Sequence, residues 1–152
     1  KELLKALLNA RFFQSGMQTL RQIEFALFDL NIHKANPALN AANIQATMDD
    51  IRHKYSVAPT ASYNRFQHGF SHIFAGGYAA GYYSYKWAEV LASDAFDRFE
   101  QDGIFNTETG KQFRKFILAV GGKDQALDAF INFRKREPKI DALLRHQGWT
   151  NA

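Results

Sequence analysis

A chain of 152 residues can bury one hydrophobic core and is short for two. With 46% hydrophobic and 22% charged residues it has the composition of an ordinary globular protein, and 14 phenylalanines point to a core built on aromatic rings. The absence of cysteine excludes disulfides and thiolate metal sites, no apolar run is long enough to span a bilayer, and the net charge of +4 is scattered, which leaves nucleic-acid binding the minority reading.

Apolar residues at 3, 4, 7, 8 and 12 predict a helix over residues 2 to 13. The chain begins at Lys1, without a methionine and already in helical register, so the expectation is a piece of a longer polypeptide. Ser15 is placed to cap the next helix, with Gln18 completing a capping box. That helix should run from about Met17 to His33. Leu20, Ile23, Leu27 and Leu30 form one stripe, widened by Phe25, Phe28 and Ile32, and Asn36-Pro37 ends the pattern. Ile44, Met48, Ile51 and Tyr55 mark a third helix over residues 40 to 55.

Residues 56 to 70 carry turn formers and read as irregular. A further helix is expected from about Ala79 to Gln101, with Asp94 and Arg98 spaced for an ion pair and Asp102-Gly103 closing it. Thr107 or Thr109 opens another through Phe113, Phe116, Ile117 and Val120, stopped at Gly121-Gly122. Asp124 should cap a helix reaching Arg134, and Arg134-Lys135-Arg136 reads as its solvated end. Pro138 starts a last short helix with Ile140, Leu143 and Leu144 inward. No β alternation and no internal repeat occurs. The expected fold is all-α, about seven helices in a single domain over residues 1–152.

The chemistry concentrates in SHIFAGGYAAGYYSYKW, residues 71–87, where four tyrosines and a histidine accompany glycines. On a helix starting near Ala79, Tyr78, Tyr82 and Tyr85 would share one face, with Tyr83 turned about 100° from Tyr82. Phenols stay protonated at neutral pH and can donate to a developing oxyanion. An aromatic core stripe with its hydroxyls bonded to nearby backbone accounts for the same spacing. Gly76-Gly77 would let a ligand approach bare backbone, or simply turn a corner between helices. His68 and His72 have the spacing of paired imidazole ligands but lack the glutamate of H-E-x-x-H, and Gly69 interrupts a regular helix between them. His72 suits a hydrogen-bonding role in a loop better. The residues alone describe part of a site.

RFQHGFSHIFAGGYAAGYYSYKWAEVLASDAFDRF, residues 65–99, strongly resembles the C-terminal region of the oligopeptidase A and thimet oligopeptidase family of zinc metallopeptidases, its bacterial oligopeptidase A branch above all. The likeness extends through GIFNTETGKQFRKFILAVGG, FRKREPKIDALLRHQGW and RQIEFALFDL, and so covers nearly the whole chain. It implies the C-terminal part of the zincin-like neurolysin and thimet oligopeptidase fold, in a cytoplasmic enzyme that cuts short peptides in a helical channel. Zinc belongs to the parent enzyme. Its H-E-x-x-H helix and glutamate ligand lie upstream of the matched region, so no metal is expected on this chain and no activity from it alone. The resemblance assigns oxyanion stabilisation and substrate-backbone binding to Tyr85 and Tyr82, Tyr85 foremost. It assigns closure over the peptide to Ala75, Gly76, Gly77 and Tyr78, and a substrate contact to His72. The implied partners are an oligopeptide and the upstream catalytic half of the same polypeptide, with no nucleic acid and no membrane. Self-association would follow if channel-lining aromatics were uncovered. A different class remains open: a stand-alone, non-catalytic helical module that binds a peptide or partner helix in an aromatic groove.

Overall fold

A computed structural model describes residues 1–34 and 40–150. Among them every regular element is helical and there is no strand. The chain divides into two compact units, Lys1–Lys86 and Trp87–Ala152.

The first unit contains α1 (Glu2–Phe12), α2 (Ser15–Lys34), α3 (Ala41–Tyr55), a 3₁₀ turn (Phe66–Gly69), the single turn α4 (Ser71–Phe74) and the start of α5 (Ser84–Asp102). Its core is Phe25, Phe28 and Ile32 from α2, Met48 and Ile51 from α3, and Phe70 and Ile73. Phe25 stacks on Phe66 at 4.4 Å and tilts against Phe70 at 5.5 Å, so the irregular segment is held down by ring contacts. The buried face of α2 is the one that carries Phe25, Phe28 and Ile32, whereas Leu30 of the other stripe is exposed. Asp29 lies among these apolar residues with no exposure at all.

Ser15 does not cap α2 from outside. It is the first helical residue, and the helix is entered from Gln14 at φ +56°, whose carbonyl accepts from the Gln18 N–H at 3.0 Å. Asn36-Pro37 lies outside the described residues. Asn40 caps α3 through its side-chain oxygen, which accepts from the Asn43 N–H at 3.0 Å.

The second unit contains most of α5, then α6 (Thr107–Phe113) running into a π-helical turn (Arg114–Leu118), α7 (Ala126–Arg134) and α8 (Asp141–His146). Ala95, Phe130 and Phe133 form its core, with Leu91, Phe99, Phe113, Phe116 and Ile117 packed around them. Gly103 at φ +104° ends α5 in the left-handed region that glycine favours. Asn106, rather than either threonine, caps α6, accepting from the N–H groups of Glu108 and Thr109. Asp124 does not cap α7: Gln125 occupies that position and makes no side-chain cap. The last helix starts at Asp141, not Pro138, and buries Ala142 while Ile140 faces outward. With eight helices among the described residues, one of them a single turn, the all-α expectation holds.

Asp94 and Arg98 do not pair. Arg98 turns to Asp102 at 3.2 Å, because Asp94 is buried and claimed by stronger partners. The Asp94 carboxylate accepts from Arg134 at 3.0 Å, from Arg136 at 2.7 Å and from the Lys139 backbone N–H at 2.7 Å. Arg134 also reaches Asp97 at 2.8 Å, and Arg145 binds both Asp97 and Glu100. The basic run is only partly a solvated helix end: Lys135 is exposed, but the Arg134 side chain is almost fully buried and neutralised by two acids. Burial works to raise the Asp94 pKa, but the hydrogen bonds from Arg136 and Lys139 prevail and hold it below the ordinary 3.8.

Replacing Asp94 with alanine leaves Arg134 buried without its main partner and should cost about 3–5 kcal/mol by chemical denaturation. Because the folded carboxyl is depressed, its contribution is full above the unfolded value of 3.8 and is lost as pH falls through the lower folded value. Acid unfolding of the D94A variant should lack that component.

Candidate functional site

All but Trp87 of the glycine–tyrosine segment lies in the first unit. Its turn begins where α4 ends. The N–H groups of Ala75 and Gly76 both donate to the Ser71 carbonyl, at 2.7 and 3.0 Å, and the Tyr78 N–H donates to the His72 carbonyl at 3.1 Å. This closure brings backbone against backbone. A Cβ on Gly76 would lie 2.8 Å from the His72 oxygen and 2.9 Å from its Cα, contacts no side chain makes. Gly77 has φ +79° and open space around it, so its requirement is conformational, not steric.

Regular α-helix does not resume at Ala79 but at Ser84. The reason is Ala80, which sits at φ +53°, a left-handed conformation that costs a non-glycine residue roughly 1–2 kcal/mol. From Tyr78 to Lys86 the chain advances through tight three-residue turns: Gly81 donates to Tyr78, Ser84 to Gly81, Tyr85 to Tyr82 and Lys86 to Tyr83. Three-residue turns bring side chains at i and i+3 over one another, which sets Tyr82 beside Tyr85.

The tyrosine face exists, though an α-helix does not make it. Tyr85 stacks on Tyr78 with ring centroids 5.1 Å apart and meets Tyr82 at 5.1 Å. His72 lies within 6.2 Å of Tyr78, 6.2 Å of Tyr82 and 6.5 Å of Tyr85. The structure thus brings together His72, Tyr78, Tyr82 and Tyr85, with Ala75, Gly76 and Gly77 forming the turn that links His72 to Tyr78. Tyr83 is absent from this ring cluster and half-exposed.

The tyrosines differ in setting. Tyr82 packs edge-on against Phe70 at 5.1 Å and Phe25 at 6.0 Å, and its hydroxyl donates to Gln22 Oε1 at 3.0 Å. Burial pushes its pKa up, partly countered by Arg21. Tyr85 is 39% exposed, and a hydrogen bond with Tyr78, followed by loss of hydration, raises its pKa above the ordinary 10.0. Both therefore remain donors at neutral pH, but only Tyr85 combines that state with access to solvent.

Sequence reasoning missed the group that holds this segment. The buried Asp29 carboxylate accepts from the Ala80 N–H through Oδ1 at 2.9 Å and from the Tyr82 N–H through Oδ2 at 2.9 Å. His33 Nδ1 lies 2.8 Å from Oδ1 and 2.8 Å from the Asp29 carbonyl, so that nitrogen faces two acceptors and carries the proton. The only available signal was a carboxylate inside the apolar stripe of α2.

The resemblance implies zinc in the parent enzyme, and His68 and His72, the one pair here with ligand spacing, are not arranged to hold it. His68 sits in the 3₁₀ turn and His72 in α4, with Phe70 non-helical between them. Among the described residues no group of three or more His, Cys, Asp or Glu side chains could hold a metal ion.

The model of peptidase family M3 matches residues 1–149, and the chain belongs to that family. It is 52% identical to oligopeptidase A of Escherichia coli strain K12 over 97% of this chain, and 49% identical to a probable cytosolic oligopeptidase A of Arabidopsis thaliana over 95%. Saccharolysin of Saccharomyces cerevisiae is 33% identical over 99%. In each case the match spans only 21–22% of the relative's length.

Two outcomes test this geometry. Gly76→Ala should lower thermal stability by about 1–3 kcal/mol, because the clash is with backbone that cannot swing aside. An unchanged Tm would mean that the turn is not closed as described. Phenolate absorbance should show Tyr82 and Tyr85 ionising above pH 10.0, identified by difference against Y82F and Y85F.

Proposed function

We propose that this chain is the substrate-binding and transition-state-stabilising part of a cytoplasmic, zinc-dependent oligopeptidase, a metalloendopeptidase that hydrolyses short peptides. The observation that carries the reading is Tyr85: a protonated, partly exposed phenol held against Tyr78 and Tyr82 next to a glycine turn. When a peptide carbonyl becomes tetrahedral its oxygen gains negative charge. A fixed phenol donor stabilises that charge more than it stabilises the ground-state carbonyl. Tyr82, with its hydroxyl already donated to Gln22, supports the ring cluster and lines the substrate path. Tyr78 and the Ala75–Gly77 turn cover the bound peptide, and His72 contacts its backbone.

The zinc ligands and the general base belong, on this reading, to other parts of the longer protein, and this chain has no activity by itself. Membership of family M3 and the names of its relatives support a peptidase. Exposed apolar surface supports a partner from the same polypeptide. Leu3, Leu4 and Leu7 of α1 are 82%, 61% and 64% exposed, and α1 buries none of its residues. In the second unit an apolar recess of about 550 Å³ is lined by Leu91, Phe96, Phe99, Phe113, Ile117 and Phe130. The upstream half of the same polypeptide would cover such surfaces, and without it the chain would self-associate. No helix among the described residues is long and apolar enough to cross a membrane.

A second reading, a non-catalytic module that binds a peptide or helix, draws on the same exposed apolar surface. The two separate on one variant. In the intact peptidase, Tyr85→Phe should lower kcat by about 10²–10³ with a much smaller change in KM. An unchanged kcat removes Tyr85 from the oxyanion role. Undiminished peptide affinity with no turnover in the unsubstituted protein would favour the module.

A further inference from the structure

We infer that Asp29 is a positioning residue for the tyrosine cluster, acting with Gln22 to grip Tyr82 at both ends. This rests on the proposed role of the tyrosines. Four observations converge on it. The carboxylate is wholly buried, and its two oxygens are divided between the N–H groups of Ala80 and Tyr82, each at 2.9 Å. Ala80 is one of only three non-glycine residues with positive φ among those described, and a left-handed residue persists only where its surroundings over-determine it. The Asp29 bond is what holds its N–H. Gln22 accepts from the Tyr82 hydroxyl at 3.0 Å. Asp29 and Gln22 are both on α2, two helical turns apart, so a rigid element fixes the backbone and the ring of Tyr82 together. Tyr85, 5.1 Å from Tyr82 and bonded to it through a backbone turn, takes its place from that support.

The role of Asp29 is thus not proton transfer. Its carboxylate is surrounded by amide donors and the His33 imidazole, and it touches no reacting atom. It selects the one loop conformation in which Tyr85 projects next to Tyr78. Displacing a donor by about 1 Å can cost on the order of 10² in rate.

The test uses the intact peptidase carrying this chain. Asp29→Asn keeps the shape but offers one acceptor and one donor where two acceptors are needed. Backbone amide exchange over Tyr78–Lys86 should accelerate while exchange in the core of α2 is retained, and kcat should fall about tenfold to a hundredfold with little change in KM. In a Y85F background the same substitution should cost less than about threefold, because its effect is transmitted through Tyr85. Unchanged exchange at the loop overturns the clamp. A fall in kcat that multiplies fully in the Y85F background overturns the positioning role, since Asp29 would then act elsewhere. If Y85F alone leaves kcat unchanged, the preceding reading of Tyr85 fails, and any catalytic role of Asp29 fails with it, while exchange still reports separately on the clamp. Should the Asp29 variant not fold, Gln22→Leu on the half-buried face of α2 takes its place. It should lower kcat about twofold to tenfold at constant KM, and an unchanged kcat would overturn the grip on Tyr82.

Discussion

A carboxylate with no access to water organises the first unit. Asp29 occupies a position on α2 flanked by Phe25, Phe28 and Ile32, where an unpaired charge would be prohibitively costly. It is tolerated because two amide N–H groups and an imidazole meet it. Those amides belong to a segment with no regular structure of its own. Core packing of α2 and the conformation of the glycine–tyrosine loop are therefore one problem, solved at one residue. The left-handed Ala80, the delayed start of α5 and the contact of Tyr82 with Tyr85 all depend on it.

The second unit uses the same device with different partners. Asp94 is equally buried, and it too accepts a backbone N–H from an irregular segment, at Lys139. Its remaining demand is met by Arg134 and Arg136, whose planar guanidinium groups fill several acceptor directions at once. In both units a buried acid on a long helix holds a loop that hydrophobic packing alone would leave undetermined. Of the charged run that looked like solvated surface, Arg134 is thereby part of the interior.

The aromatic cluster joins stability to the proposed chemistry. Tyr82 belongs to the core on one side, through Phe25 and Phe70, and to the ring cluster on the other, through His72 and Tyr85. Rings meeting at 5–6 Å edge-on or tilted are stiff, because each has few torsions and many neighbours. A donor mounted on such a support needs little reorganisation to meet a developing charge. This is the physical sense in which the phenols proposed as donors in this chain of peptidase family M3 are also packing.

Periodicity and punctuation were enough to determine the helices. The apolar spacing of α1 and α3, the glycine that ends α5 and the all-α class follow from local rules, because amphipathic repeats and caps act over a few residues. The glycine–tyrosine motif marked the right family. Local rules also misplaced the start of α5, paired Asp94 with Arg98 and assigned caps to Ser15 and Asp124. The first two errors arose where a distant partner overrode a neighbour: Asp29 lies more than fifty residues from Tyr82, and Asp94 forty from Arg134. No spacing rule links residues so far apart, since their meeting is decided by how helices pack. The sequence by itself determined which residues could donate, accept or fill a core. Only the tertiary structure decided which acid each amide and guanidinium would find, because burying a charge forces a search for partners that the chain order does not contain.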